Sequence, residues 1–166
     1  KKKKIVSNHA KQVFESSAYD AVNKTTGEKA LLKLKTPMEV VSYPVRNYDA
    51  DEQFDIDLEH DFNYLLMAQW SERKNIENTI KWFVEENIDQ EVGLVIKTNS
   101  QANCKIDKEF TLEKRLQPLL NQYEDRKCKV YLLHGDLSEQ QLTSLYTHPK
   151  IKCMVSLTHG EGFGLP

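Results

Sequence analysis

From residue 62 onward, short continuous apolar runs alternate with longer segments in which apolar residues recur every three or four positions. Continuous apolar runs are typical of strands that are covered on both faces, and the longer period is typical of amphipathic helices. The pattern predicts strands near residues 64–68, 92–96, 130–133 and 151–157, with a helix in each interval. Because strands and helices alternate, we expect an α/β fold in which right-handed crossovers build a parallel sheet with flanking helices.

Local signals mark where the helices of this region begin. Residues 138–141 (SEQQ) have the capping-box pattern, and Leu137 and Leu142 on either side of the cap are placed to form a hydrophobic staple. Asn75 is a candidate N-cap for the first helix of the region. In the second helix, Pro118 either kinks the helix or marks its start. We therefore expect the third helix to have the best-defined start.

The residues before 62 follow a different pattern. Residues 5–6 predict a short strand, and apolar residues at helical spacing between 10 and 22 predict an amphipathic helix. Residues 23–29 (NKTTGEK) break this helix, and extended pieces follow between 31 and 45. This part of the chain does not join the strand–helix alternation that follows it.

An acidic stretch separates the two patterns. Seven acidic residues and no Lys or Arg lie from Asp49 to Asp61, which is typical of a linker. Phe54, Ile56 and Leu58 alternate with polar residues, so the stretch could also dock as an edge segment. We place a domain boundary near residue 58.

The composition is that of a globular protein. The chain has 166 residues, of which 39% are hydrophobic and 29% are charged, so it can bury one ordinary core. A formal net charge of -2 gives no footprint for nucleic acid or for an anionic membrane, and we predict no nucleic-acid partner. The basic run at residues 1–4 is either a solvated chain start or a binding patch.

Localisation is predicted from the apolar pattern and from the cysteines. No apolar run approaches the length that crosses a bilayer, and no signal peptide is visible. Cys104, Cys128 and Cys153 are odd in number, widely spaced and without zinc-site spacing. We therefore expect a cytoplasmic protein with reduced cysteines, no transmembrane segment and no bound metal.

Three polar segments follow predicted strands at the carboxyl edge of the sheet, where open parallel sheets bind ligands. They are residues 68–75 (AQWSERKN), 134–140 (HGDLSEQ) and 158–166 (THGEGFGLP). Arg73 and Lys74 stand at a helix start, where cations oppose the helix dipole, so we expect a negative partner there. The alternative is that both are solvated surface charges.

Three glycines at alternate positions predict a loop with little side-chain bulk after the fourth strand. The dinucleotide fingerprint does not fit, because Leu165 stands where its third glycine belongs, and the Gly-Lys-Ser/Thr sequence of a P-loop is missing. What fits is a loop whose amides bind an oxygen-rich ligand beside the Glu161 carboxylate. Since that carboxylate would repel a phosphate, we expect Glu161 to face hydroxyls or a developing positive charge.

Four segments carry a resemblance to a known family. Residues 158–166 resemble the donor-binding signature of retaining glycosyltransferases with the GT-B fold, the group 1 family of sucrose-synthase-like and glycogen-synthase-like enzymes. Residues 65–83 (LLMAQWSERKNIENTIKWF) resemble the first strand and helix of that family's C-terminal domain, and residues 129–146 resemble the segment before the signature. Residues 5–14 are similar to the last strand and helix of the N-terminal domain. The resemblance covers nearly the whole chain in family order.

The resemblance implies a Rossmann-like fold that forms part of a GT-B donor-binding domain. Residues 1–45 would be a remnant of the N-terminal acceptor domain, 46–58 an acidic linker, and 59–166 the first half of the nucleotide-sugar-binding domain. On this interpretation the chain is a fragment, inactive by itself, with an unfinished sheet edge through which it could self-associate. A carbohydrate or lipid-linked acceptor would bind through the missing domain.

The resemblance also assigns roles to the last loop. Glu161 matches the motif glutamate that bonds the donor sugar near the reacting carbon, which makes it the candidate catalytic residue. The amides that match those contacting sugar and phosphate belong to Gly162, Phe163, Gly164 and Leu165. The loop is thus expected to hold the reacting end of the donor.

Other positions match the part of the site that holds the nucleotide. Lys74 matches the lysine that balances the diphosphate. Leu137 stands where an apolar side chain often contacts the nucleobase, although its staple role explains it nearly as well. Gln69 replaces the family's arginine, so the two-cation clamp on the diphosphate is incomplete unless Arg73 substitutes for it.

The implied reaction is sugar transfer from a nucleoside diphosphate sugar to an acceptor hydroxyl with retention of the anomeric configuration. It needs neither a metal nor another cofactor. We interpret His134 and His159 as structural loop residues rather than as catalytic ones. The alternative function is a non-catalytic module that binds a nucleotide or a sugar phosphate.

Overall fold

The computed structural model describes residues 2–44 and 46–160. The chain divides into two compact units, Lys1–Asn47 and Tyr48–Pro166. The predictions for Glu161 and for residues 162–165 lie outside the described residues. Within the described part of the chain, no helix is both long enough and apolar enough to span a membrane.

The described part of the first unit contains β1 (Lys3–Ile5), α1 (Asn8–Ser16), β2 (Ala18–Val22), β3 (Lys29–Lys33) and β4 (Met38–Val40). Strand β1 pairs in parallel with β4, and β2 pairs antiparallel with β3. Helix α1 starts at a side-chain cap, because the Ser7 hydroxyl accepts a hydrogen bond from the Ala10 amide. The predicted strand at residues 5–6 is therefore present, shifted toward the start of the chain.

The prediction of one long amphipathic helix in this unit is wrong, because α1 ends at Ser16 and β2 follows it. The turn between β2 and β3 explains the difference. The Asn23 side-chain oxygen accepts hydrogen bonds from the amides of Thr25 and Thr26, and Gly27 has a φ of 74°. Asn and Gly favour such turns, so the segment that interrupts the apolar pattern joins two strands instead of ending a helix.

The second unit is an α/β fold, as predicted. Its described elements are β5 (Asn63–Met67), a short 3-10 helix (Glu72–Lys74), α2 (Ile76–Glu86), β6 (Gly93–Thr98), α3 (Lys105–Phe110), a π-helical segment (Thr111–Leu116), α4 (Gln117–Leu120), β7 (Lys129–His134), α5 (Glu139–Tyr146) and β8 (Ile151–Met154). These strands form one parallel sheet in the order β7-β6-β5-β8. In chain order this is 3-2-1-4, as in the first four strands of a doubly wound, Rossmann-like fold.

The predicted strands are present, and the helices lie in the predicted intervals. β8 is shorter than predicted, because the chain leaves the ladder after Met154, where the Val155 amide donates a last hydrogen bond to the Leu65 carbonyl. Pro118 does not start a new helix, because Leu116 and Gln117 at the junction of the π-helical segment with α4 keep right-handed helical dihedral angles and the helical stretch is continuous. The proline ring would clash with the carbonyl four residues earlier in a regular helix, and the wider π turns accommodate it.

Two apolar clusters cover the sheet, because side chains alternate between its faces along each strand. In the first cluster, Leu66 of β5 and Ile96 of β6 are buried together with Ile80 and Val84 of α2. Each side chain of this size contributes roughly 1.5–3 kcal/mol when it is fully buried. This cluster packs α2 against the middle strands, β5 and β6.

In the second cluster, Leu65 of β5 is buried with Leu145 of α5 and with Leu58 of the acidic stretch. Phe54 and Ile56 pack against the same cluster, so the alternating apolar residues dock on the sheet unit. Residues 48–58 thus belong to the second compact unit. The assignment of the two units to an acceptor domain and a donor domain stays a prediction.

Candidate functional site at the carboxyl edge of the sheet

The loops that follow β5 and β8 meet at the carboxyl edge of the sheet. The His159 amide and the Thr158 hydroxyl each donate a hydrogen bond of 3.0 Å to the Arg73 carbonyl. The Arg73 guanidinium donates in turn to the Gly160 carbonyl. The strand order reverses between β5 and β8, and open α/β sheets bind their ligands at such a switch point. Two of the three segments that the sequence placed at this edge are therefore in contact.

Asn75 holds the turn that carries Arg73 and Lys74. Its φ of 53° lies in the left-handed region, which Asn adopts more readily than most residues. Its side-chain amide donates to the Leu157 carbonyl at 3.0 Å, and its side-chain oxygen accepts from Asn78 at 2.7 Å. The N-cap prediction is right about the position but wrong about the side chain, which ties the turn to the loop after β8 instead of capping α2.

A cleft of about 250 Å³ lies between the ends of β5 and β6. Gln69, Lys74, Lys97 and Asn99 supply polar groups to its lining. Lys74 is half-buried, whereas Gln69 is exposed and donates a hydrogen bond of 3.3 Å from its side-chain amide to the Ser100 carbonyl. Lys74 and Gln69 therefore line one cleft.

Lys97 is a cation of this cleft that the sequence pattern did not single out. It lies near the end of β6, in a strand whose other residues are buried. Burial lowers the pKa of its ammonium from the ordinary value, and the negative charge of Asp136 acts in the opposite direction. The signal in the sequence is a lysine at the carboxyl end of a buried strand, where a charge is costly.

The loops after β6 and β7 are also hydrogen-bonded to each other at the same edge. The Asn103 side-chain amide donates to the Asp136 carboxylate at 3.1 Å. Gly135 has a φ of 100°, and a Cβ at this position would stand 2.6 Å from the Asn103 side-chain oxygen. The third predicted segment, residues 134–140, thus contacts the loop after β6, which the sequence pattern did not include in the site.

A buried pair of side chains, His134 and Asp107, also connects the ends of β6 and β7. His134 Nε2 lies 2.8 Å from Asp107 Oδ2, and the amides of Ser100 and Gln101 donate to the same carboxylate at 2.9 and 3.1 Å. Burial by itself would raise the pKa of Asp107, but the hydrogen bonds from His134 and the two amides outweigh it and hold the pKa below its usual value. His134 is the last residue of β7 and not a loop residue, as the sequence analysis had it, and its contact with Asp107 joins the ends of β6 and β7. That it has no catalytic role stays a prediction.

The start of α5 has the predicted capping box. The Ser138 hydroxyl accepts a hydrogen bond of 3.2 Å from the Gln141 amide, and the Ser138 amide donates to the Gln141 side-chain oxygen at 3.0 Å. Leu137, just before the cap, is half-buried and packs against the cluster around Leu65. This packing accounts for the leucine, and its contact with a nucleobase stays a prediction.

A second cavity, of about 450 Å³, lies beside the start of α2, with His159 in its lining. The Arg115 guanidinium lies 5.8 Å from the centre of the Trp70 ring, and the Trp70 ring nitrogen donates to Glu77 at 3.3 Å. Arg115 also forms an ion pair with Glu77 at 3.9 Å. These groups bind one another and join α2 to the π-helical segment, so we assign them a structural role.

Among residues 2–44 and 46–160, no group of three or more His, Cys, Asp or Glu side chains is placed to hold a metal ion. That the reaction needs no metal or other cofactor stays a prediction. No model of a known protein family matches the chain, and no curated protein matches it. The functional argument therefore depends on the geometry of the carboxyl edge and on the residues that stand there.

Proposed function

We propose that the protein is a retaining glycosyltransferase that binds a nucleoside diphosphate sugar at the carboxyl edge of its parallel sheet. One observation carries the proposal. The turn with Arg73 and Lys74 is hydrogen-bonded to the loop after β8, so the two segments that resemble the family's donor site adjoin each other in space. Rossmann-like sheets bind nucleotides at this edge, which supports the same placement.

In this proposal the donor diphosphate lies in the cleft that Gln69 and Lys74 line. Cleavage of the bond between sugar and diphosphate leaves negative charge on the diphosphate and an oxocarbenium-like sugar. The Lys74 ammonium stabilises the departing diphosphate, and fixed charges of this kind commonly supply the largest part of an enzyme's rate enhancement.

The remaining roles in the proposal follow the resemblance. Glu161 is the catalytic residue and bonds the sugar hydroxyls near the reacting carbon, while the amides of residues 162–165 hold sugar and phosphate. Leu137 contacts the nucleobase from the side of β7. Arg73 supports Lys74, because its guanidinium already bonds the loop that leads to Glu161.

The wider assignments belong to the same proposal. Residues 59–166 belong to the donor-binding domain, and a carbohydrate or lipid-linked acceptor binds to another domain. The reaction needs no metal and takes place in the cytoplasm. Cys104, Cys128 and Cys153 are unpaired, which fits a reducing compartment.

One observation favours a second function, a non-catalytic module that binds a nucleotide or a sugar phosphate. Gln69 is neutral where the family has an arginine, and its side-chain amide is bonded to the Ser100 carbonyl. A site with one cation fewer stabilises the leaving diphosphate less, although it still binds the ground state of a nucleotide. Such a protein would bind its ligand without turning it over.

The test uses the full-length natural protein with ADP-, GDP-, UDP- and dTDP-sugars and a panel of carbohydrate and lipid-linked acceptors. Mass spectrometry detects transfer, and NMR of the product reports the anomeric configuration. Transfer with retention that falls by about 100-fold or more in Glu161→Gln supports the enzyme. Calorimetric binding of the nucleotide without transfer supports the module, and no binding of any donor contradicts both.

A further inference from the structure

Lys97 lies in an apolar row of the sheet. Its register partners on the neighbouring strands are Met67 of β5 and Leu133 of β7. Both partners pack against the second apolar cluster, so the Lys97 side chain shares their face of the sheet, and Lys97 also lines the cleft at the end of β6. An apolar residue would suit this row at least as well for packing, and the lysine therefore needs another explanation.

The positive charge of the Lys97 ammonium is only weakly offset by neighbouring groups. Within residues 2–44 and 46–160 it forms neither a hydrogen bond nor a close ion pair, and the opposite charge that acts on it is that of Asp136. The Asp136 carboxylate already accepts a hydrogen bond from Asn103. Lys74 lines the same cleft, so a second positively charged residue stands beside Lys97.

The backbone fixes the position of Lys97 relative to Gln69. The Ala68 amide donates to the Lys97 carbonyl at 3.2 Å, and the Trp70 amide donates to the Asn99 carbonyl at 2.8 Å. The chain is thus joined to β6 and its following loop on both sides of Gln69. A ligand at this point meets a preformed site rather than two independent loops.

We propose that Lys97 is a binding residue for the donor diphosphate and supplies, together with Lys74, the second cation that Gln69 does not provide. The identity of the ligand rests on the proposed function, whereas the anion site requires only two adjoining anionic phosphates. Charge-assisted contacts from two ammonium groups fit such a pair of phosphates. Lys97 would thereby supply, from the end of β6, the positive charge that the family's arginine supplies from the position of Gln69.

The variant Lys97→Met tests the inference with little risk to the fold. Methionine keeps an unbranched side chain and matches the apolar row, so we expect the variant to unfold at the wild-type temperature or above it. Lys152→Met is the matched control: it removes an ammonium from the same sheet, where Lys152 donates to the Pro149 carbonyl. Lys97→Arg restores the positive charge at the site.

The measurement is calorimetry of the full-length protein with inorganic pyrophosphate and with ADP, GDP and UDP. We expect Lys97→Met to weaken binding by roughly 10- to 100-fold, the effect of losing one charged hydrogen bond, and Lys97→Arg to recover most of it. Lys152→Met should change the affinity by less than about twofold, because salt screens a distant exposed charge. Wild-type affinity in Lys97→Met, or an equal loss in Lys152→Met, overturns the inference.

Pyrophosphate binding and sugar transfer separate this inference from the proposed function. Pyrophosphate binding that depends on Lys97, without transfer from any donor, supports the anion site and contradicts the glycosyltransferase. Transfer with unchanged KM and nucleotide affinity in Lys97→Met contradicts the inference alone. A wild-type protein that binds neither pyrophosphate nor a nucleotide contradicts both.

Discussion

Gly93 of β6 faces Asn63 of β5 across the sheet. A Cβ on Gly93 would stand 1.9 Å from the Asn63 side-chain oxygen and 2.9 Å from the Tyr131 ring. Asn63 is not free to turn away, because its side-chain amide donates to the carbonyls of His60 and Lys150 at 2.7 and 3.0 Å. The absence of a side chain at residue 93 thus allows Asn63 to hold the start of β5 against the chain before β8.

We expect Gly93→Ala to lower the free energy of unfolding by roughly 1–3 kcal/mol, the usual cost of overpacking a core. Urea titration followed by circular dichroism measures it. Gly160→Ala is the control, since nothing lies within 4 Å of a Cβ there, and it should change the free energy by less than about 0.5 kcal/mol. Equal stability of the two variants would show that Asn63 moves aside at no cost.

At the scale of single residues, the sequence predicted contacts between near neighbours and missed distant ones. The capping box was found because Gln141 lies three residues after Ser138. Asn75 was assigned to its own helix, but its side chain bonds Leu157, which is 82 positions away. Lys97 was missed because a lysine at the end of a buried strand does not by itself show that it shares a cleft with residues that follow another strand.

At the scale of elements, Asp107 of α3 joins the ends of β6 and β7. It accepts hydrogen bonds from the amide of Ser100, after β6, and pairs with His134, the last residue of β7. Because the pKa of Asp107 is lower in the folded chain than its usual value, the ionised carboxylate stabilises the fold. That contribution is complete above the ordinary pKa of an aspartate, about 4, and is lost as the pH falls through the lower folded pKa.

We expect Asp107→Asn to lower the free energy of unfolding by roughly 1–3 kcal/mol at neutral pH, because a charged hydrogen-bond acceptor is lost from a buried site. The deficit should shrink as the pH falls below about 4, because the carboxylate of the unfolded wild-type chain is protonated first and that of the folded chain follows at lower pH. Urea titrations from about pH 7 to pH 3 measure it, with Asp89→Asn, an exposed aspartate, as the control. A deficit that stays constant over this range would contradict the role of the carboxylate charge.

The middle strands of the second unit, β5 and β6, could be predicted because they are buried on both faces. β6 is a continuous apolar run before Lys97, and such a run does not imitate the spacing of an amphipathic helix. β2 and β3 are exposed over nearly all of their length, so they carry no pattern of burial. The residues of β2 therefore continued the helical spacing of α1 by coincidence, and their pairing with β3 could not be seen.

At the scale of the whole sheet unit, the alternation of elements predicts parallel strands but not their order. The order β7-β6-β5-β8 depends on packing between distant residues, and it decides which loops adjoin. It brings the loop after β8 to the loop after β5, and the loop after β7 to the loop after β6. The candidate site therefore contains two pairs of hydrogen-bonded loops, of which the sequence indicated one pair, the loops after β5 and β8.

If the diphosphate lies in the cleft, Lys74→Ala should weaken nucleoside diphosphate binding by roughly 1–3 kcal/mol, the range for losing a charged hydrogen bond. Calorimetry with ADP, GDP and UDP and the full-length protein measures this. Lys81→Ala, on α2 but outside the lining of the cleft, is the control and should leave the affinity nearly unchanged. Unchanged affinity in Lys74→Ala would move the main anion contact to Arg73, the alternative that the sequence left open.

The variant Gln69→Arg tests whether the cleft is a diphosphate-binding site that has one cation fewer than the family's site. Gln69 is exposed and lines the cleft with Lys74 and Lys97, so an arginine can enter without burying its charge. We expect it to tighten binding of the nucleoside diphosphate by roughly tenfold, because a guanidinium makes paired hydrogen bonds to phosphate. Gln101→Arg is the control, since it adds the same charge to the neighbouring loop, where Gln101 lines a different pocket.

Calorimetry at low and high salt separates a direct contact from a general attraction between charges. Salt screens the field of an exposed cation at a distance more than it weakens a direct contact with phosphate. A gain that is specific to Gln69→Arg and persists at high salt supports a diphosphate beside residue 69. Equal gains in Gln69→Arg and Gln101→Arg that vanish with salt contradict it. A loss of affinity in Gln69→Arg would show that the hydrogen bond from Gln69 to Ser100 matters more than charge, and would count against matching the loop after β5 to the family's donor site.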